Sequence, residues 1–161
     1  MPMPAHMELT GENQGKINGS CTQQGRENTI LIQGMNHMVR IPRDPQTGEP
    51  TGKRVHEALT VTKVYDKSSP KLYQALCTGE RFSKVLIKWY RISPTGAEEH
   101  YFTHNLIEAI LVDIKPWMPN CLDPKTESFS HMEDLSFTYK KIIWTWEPDG
   151  IEAEDDWEVP K

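Results

Sequence analysis

The chain has 161 residues, 37% hydrophobic and 25% charged, with 12 Pro and 10 Gly, a size that suits one domain, 1–161, built on one core from many short elements. Its net charge of −5 is concentrated between Glu147 and Lys161, where seven acidic residues meet one Lys; the rest sums to +1 and offers no electrostatic footprint for nucleic acid. Three Cys without CxxC spacing exclude a disulfide framework and a zinc site. Met1 to Leu9 lacks an apolar core of the signal-peptide kind, and no stretch reaches the roughly 18 apolar residues of a membrane span. Synthesis in a reducing cytoplasm is expected, with any export following a route that reads no ordinary signal peptide.

In chain order, Thr29 to Ile41 predicts a strand that is irregular near Gly34, with Ile30 and Ile32 on one parity and Leu31, Met35, Val39 and Ile41 on the other. Ile41 to His56 holds three Pro and two Gly, so it cannot supply a continuous ladder of backbone donors and is expected to be a long loop. Its Arg43, Lys53 and Arg54 point to contacts outside the domain. Leu59 to Tyr65 alternates as a strand, with Leu59, Val61 and Tyr65 on one face and Thr60 and Thr62 on the other. Ser68 to Gly79 predicts a short helix: Ser69 as N-cap, Pro70 first, Gly79 as stop, and Leu72, Ala75 and Leu76 as its apolar stripe.

Lys84 to Arg91, the turn Pro94-Thr95-Gly96 and His100 to Thr103 predict a hairpin. Asn105 to Ile114 fits either a helix through Leu106, Ile110 and Ile114 or a strand facing Leu106, Glu108, Ile110, Val112 and Ile114 one way; its neighbours favour the strand. Pro116 to Pro119 is expected to break the chain before a second loop. From Met132 to Trp146, Leu135, Phe137 and Tyr139 share one parity and Ile142, Trp144 and Trp146 the other, which places a bulge or a change of buried face at Lys140-Lys141. Long bent strands of this kind suit a barrel. The acidic close is expected to be a solvated tail, 147–161, or an end that meets a basic partner.

Signatures of catalysis are absent: the chain has no P-loop, GxSxG or HExxH. His6-Met7-Glu8 and His131-Met132-Glu133 imitate half of a zinc deaminase signature, but no PCxxC follows. Glu98, Glu99, His100 and His104 crowd the hairpin, where a polar sheet face explains them as well as acid–base chemistry would. Cys77 is expected to be a small buried residue, and Trp117, Trp144 and Trp146 core or interface anchors. No catalytic, metal or cofactor residue is assigned. A small β-sandwich binding module gripping a sugar or peptide through exposed Trp is the alternative reading.

Several segments together resemble the hemolysin-coregulated protein family of type VI secretion: PAHMELTGENQGKI, IPRDPQTGEPTGKRVH, DKSSPKLYQAL, WYRISPTG followed by EEHYFT, MPNCLDP and FTYKKIIWTW, in the family's order and spanning nearly the whole chain. Gly19 to Asn28 and the acidic close, where only Glu154 to Trp157 echoes the usual ending, depart from the family pattern. The resemblance implies a mainly β fold similar to phage tail-tube proteins, a β-barrel of two packed antiparallel sheets with one flanking helix. It further implies homohexameric rings that stack into a tube driven out by a contractile sheath behind a spike protein, with effector proteins in the lumen. On this reading the loop 41–56 is an arm that reaches an adjacent subunit or ring through Arg43, Asp44, Gln46, Thr47, Glu49, Thr51, Lys53 and Arg54.

Overall fold

The computed structural model describes residues 2–157. In chain order the strands are β1 (Ala5–Gly11), β2 (Gly15–Ile17), β3 (Ile30–Ile32), β4 (Gly34–Asn36), β5 (Val39–Arg40), β6 (Val55–His56) and β7 (Leu59–Val64). Helix α1 (Ser69–Thr78) is followed by β8 (Arg81–Ile92), β9 (Glu98–Trp117), β10 (Met132–Thr138), β11 (Lys141–Trp146) and β12 (Ile151–Asp156). Among the described residues the chain is therefore mainly β with one α-helix, and every strand pairing is antiparallel.

The main sheet runs β1-β8-β9-β10-β7-β4, and β3 pairs β1. Since β3 and β4 are successive halves of one segment, its first half pairs Ala5 to Met7 and its second half pairs Thr60 to Thr62, carrying the strand path back to its start as a barrel. Gln33, between the halves, donates its N–H to the Thr62 carbonyl at 2.9 Å. The irregularity expected near Gly34 is this change of partner. Inside lie Met7, Leu9, Ile17, Ile30, Leu59, Val61, Phe82, Val85, Ile87, Leu106, Leu135, Phe137 and Ile142, all 1% exposed or less.

Three sequence-level expectations shift. His100 to Ile114 is one continuous part of the 20-residue β9, which runs on through Pro116 to Trp117. Between Asn105 and Ile114 its buried positions are Leu106, Ala109 and Leu111, with Ile114 half-buried, not the even-numbered set. The parity flips first at Glu108, whose φ of 51° lies in the left-handed region. It flips back where the β9–β10 ladder shifts register opposite Ser136/Phe137. A Pro is tolerated near the end of β9 because it pairs there only with β10.

Second, the helix starts one residue earlier than expected: Ser68, not Ser69, is the N-cap, with Pro70 in the first turn. Ser69 is unsuited to capping because its hydroxyl is drawn down to Glu133, donating to Oε1 at 2.7 Å. Gly79 ends the helix at φ 68°, and Glu80 N–H returns to the Ala75 carbonyl at 2.9 Å. Leu72 and Ala75 bury the expected stripe, whereas Cys77 is exposed, on the outer side of the helix. Third, Tyr65 falls past the end of β7 and is 51% exposed, while Lys63 takes its place on the buried face.

The change of buried face expected at Lys140-Lys141 is present: Tyr139 and Ile142 are both buried, and the break there separates β10 from β11, each of which pairs β9. The divergent stretch Gly19 to Asn28 forms a compact loop in which Gly19 donates to the Asn28 carbonyl at 2.8 Å. A Cβ at Gly19 would sit 2.3 Å from the Thr29 carbonyl oxygen. Glycine is required there by that approach, not by φ.

Candidate assembly surface

The segment expected to be an unpaired loop is a built arm. Val39 pairs His56 and Arg40 pairs Val55 in a separate two-stranded ribbon, and Arg43 bridges Pro50 further out. The prolines do interrupt the ladder, as their missing N–H demands, but neighbours carry it: Thr51 donates to the Pro42 carbonyl at 2.8 Å and Asp44 to the Glu49 carbonyl at 2.8 Å.

At the tip, Asp44 Oδ1 accepts from the backbone N–H of Gln46 at 2.7 Å and of Thr47 at 3.3 Å, while Gly48 donates to the Asp44 carbonyl at 2.9 Å. Thr47 Oγ1 accepts from Glu49 N–H at 3.3 Å, and Gly48 takes φ 75°. Asp44, Thr47 and Gly48 thus shape the tip themselves, a self-capped Asx turn. Arg43, Gln46, Thr47, Glu49, Thr51 and Lys53 are exposed along the arm. The arm also presents apolar side chains to the outside: Met38, Val39 and Ile41 are 55%, 41% and 55% exposed.

Arg54, expected to reach outward with Arg43 and Lys53, is turned inward instead. Its Nε donates to Asp155 Oδ2 at 2.5 Å and its Nη2 to the Asp156 carbonyl at 2.9 Å. The acidic close is exposed from 147 to 154, as expected of a solvated end, but its described part is ordered and not a free tail: β12 pairs β11 from Trp146↔Ile151 to Lys141↔Asp156. The basic partner its charge calls for is Arg54 of the same chain, and Lys141 adds an ion pair to Glu154 at 3.0 Å. Positions 158–161 of the expected tail lie outside the described residues.

Around this contact the root of the arm forms a polar hub. His56, 7% exposed, places Nε2 at 2.7 Å from Asp155 Oδ2 and Nδ1 at 2.6 Å from the Tyr139 hydroxyl. His37 Nε2 meets the same hydroxyl at 2.9 Å, and Trp157 Nε1 donates to the Tyr139 carbonyl at 2.7 Å. Burial and the neighbouring His56 hold His37 below the ordinary imidazole range; burial and Asp155 push the Tyr139 phenol up. The side-chain partners of His37, Arg54 and His56 in this hub stand 83 to 102 positions away, so no local pattern could announce it. The one sequence signal was charge, a basic arm and an acidic end in the same small chain.

The hairpin carboxylates and imidazoles do not converge on a common centre. Glu98 pairs Arg26 at 2.6 Å, Glu99 pairs Arg91 at 2.7 Å, and His100 Nε2 lies 2.7 Å from Thr103 Oγ1. His104 Nδ1 accepts from Trp89 Nε1 at 2.8 Å. Burial, reinforced by His37, lowers the His104 pKa from 6.5 to about 4. Between these values the unfolded chain binds the extra proton and the folded chain does not, so stability must fall as pH drops from about 6.5 towards 4. The expected loss is about 2–3 kcal/mol, read as a declining urea midpoint that a His104→Gln variant flattens.

Against known proteins, residues 6–146 match the family described as "Type VI secretion system effector, Hcp". The chain belongs to the Hcp family. The Major exported protein of Pseudomonas aeruginosa strain PAO1 is 50% identical to this Hcp chain over 169 residues of alignment, covering 99% of this chain and 98% of that one. Among solved structures, a crystal structure of an Hcp protein is 34% identical, covers 98% of this chain and 99% of its own, and superposes with a TM-score of 0.91. The secreted protein Hcp3 from Pseudomonas aeruginosa is 42% identical with coverage of 97% and 99% and a TM-score of 0.80. The chain is accordingly a type VI secretion protein of the structural Hcp kind and not an enzyme. Among the described residues, no helix is long and apolar enough to cross a membrane.

Proposed function

We propose that this Hcp chain is the repeating subunit of a type VI inner tube: six copies close a ring and rings stack. The tube is expelled by the contractile sheath behind the spike protein, with effector proteins carried in the lumen. Synthesis is cytoplasmic and export is by the type VI apparatus. The observation that carries the reading is the arm, Val39 to His56. It is hydrogen-bonded along its length and locked at its root, yet it holds Met38, Val39 and Ile41 in water. Apolar side chains held out on a rigid projection gain free energy only when another surface covers them.

Subunits in a ring meet through two different surfaces closed by rotation, and the arm supplies one of them through Arg43, Gln46, Thr47, Glu49, Thr51 and Lys53. Deleting Gln46 to Gly52 removes the tip while leaving the root hub and the barrel intact, so the variant should keep its circular dichroism and melting temperature but lose rings or their stacking. Negative-stain microscopy and sedimentation of both proteins test this. Compact monomers from the intact chain, or unchanged stackable rings from the deletion, would overturn it.

A further inference from the structure

The arm's hold on the barrel depends on the placement of a few protons. Asp155 Oδ2 accepts from Arg54 Nε at 2.5 Å and lies 2.7 Å from His56 Nε2, so His56 must carry its proton on Nε2. In neutral His56, Nδ1 is then an acceptor, and the Tyr139 hydroxyl 2.6 Å away must donate to it. Having spent its one proton, that hydroxyl can only accept from His37 Nε2 at 2.9 Å. One arrangement satisfies the neutral hub.

A single added proton is tolerated in two ways. On His37 Nδ1 it leaves every one of these bonds as it was. On His56 Nδ1 it reverses the chain: His56 donates to the Tyr139 oxygen, and the Tyr139 O–H turns to a neutral His37 Nε2. A second proton has no such solution. Both imidazoles would donate to one oxygen, the phenol proton would lose its acceptor, and two cations would share a hydroxyl whose residue is 5% exposed.

We infer that the pair His37–His56 on Tyr139 is a proton-operated lock, which holds the arm at neutral pH and releases it when the second imidazole is protonated in acid. This rests on the tube reading only for its consequence, that acid disassembles the tube; the lock itself lies within one chain. The charged and titratable groups that meet the pair are Arg54 beside β6, through Asp155, Tyr139 between β10 and β11, Asp155 of β12, and His104 of β9. With both imidazoles on one hydroxyl, the second proton is the one the geometry resists. Besides the hub, Arg54 fastens the arm to Asp155 and to the Asp156 carbonyl, while the arm's own ribbon is two residues long on each side, with Val39 and Arg40 exposed. A ribbon of that size is not stable alone.

The test is hydrogen–deuterium exchange of the full chain, corrected for the intrinsic pH dependence of exchange and comparing peptides from 38–57 with peptides from β8. From about pH 7.5 to about pH 5, exchange of the arm relative to β8 should rise roughly tenfold in the unmodified protein, the effect of about one pKa unit. His37→Gln can accept from Tyr139 or donate to it but takes no second proton, so its ratio should stay within about twofold. Tyr139→Phe removes the shared hydroxyl, and its arm should exchange fast at both pH values. An unchanged ratio in the unmodified protein, or the same rise in either variant, would overturn the lock. Sedimentation at about pH 7.5 separates the two claims: absence of rings there refutes the tube while leaving the exchange result to decide the lock.

Discussion

Replacing Glu133 by alanine is expected to remove about 3–5 kcal/mol of stability, the loss that follows when one member of a buried ion pair is left without the other. Glu133 and Lys63 are direct cross-strand partners on β10 and β7, and both are 0% exposed. Lys63 Nζ donates to Glu133 Oε1, to the Val64 carbonyl at 3.0 Å and to Ser69 Oγ at 3.1 Å, with Asp66 Oδ1 also 3.1 Å away. Without Glu133 the ammonium stays sealed beneath the start of α1 with Asp66 as its remaining carboxylate. Urea titration measures the loss directly, and a drop under about 1 kcal/mol would show the pair to be solvated. The double replacement Lys63→Met with Glu133→Leu should recover most of the deficit, because two apolar side chains need no partner there. A recovery would also separate stability from positioning: the pair ties the helix N-terminus to the barrel wall, and two apolar residues would not.

A loss of similar size, about 3–5 kcal/mol, is expected for Phe137→Ala. Phe137 on β10 and Phe82 on β8 are both fully buried, with ring centroids 6.0 Å apart at 76°. They come from the strands on either side of β9, so their contact exists only because the sheet curls. Truncation therefore opens a cavity at the centre of the barrel, where backbone closed by hydrogen bonds on both sides cannot collapse to fill it. Phe137→Leu should cost less than half as much, and the double change Phe82→Ala with Phe137→Ala less than the sum of the singles, since each removes the same edge-to-face contact. Strict additivity in urea midpoints would mean that the rings do not support each other.

The β character, the helix and the change of face at Lys140-Lys141 were legible because each rests on periodicity, Pro or Gly within a short window. What was illegible depends on residues far apart. Lys63 occupies a buried position because Glu133 lies opposite it, and nothing between Leu59 and Tyr65 reveals that partner. The two parity flips in β9 follow from Glu108 at positive φ and a bulge against β10, neither of which composition marks. For the arm, three Pro argued correctly against a regular ladder, but not against the discontinuous one that Asp44 and Thr51 maintain. Arg54 was read with Arg43 and Lys53 as an outward contact because its acceptor, Asp155, lies 101 residues ahead.

That distance also imposes an order of events on the newly made chain. The arm leaves the ribosome early, but the carboxylate that fastens it stands at position 155, so until β12 has emerged the arm lacks that fastening. On the tube reading proposed above, readiness to assemble is then tied to the pairing of β12 with the barrel.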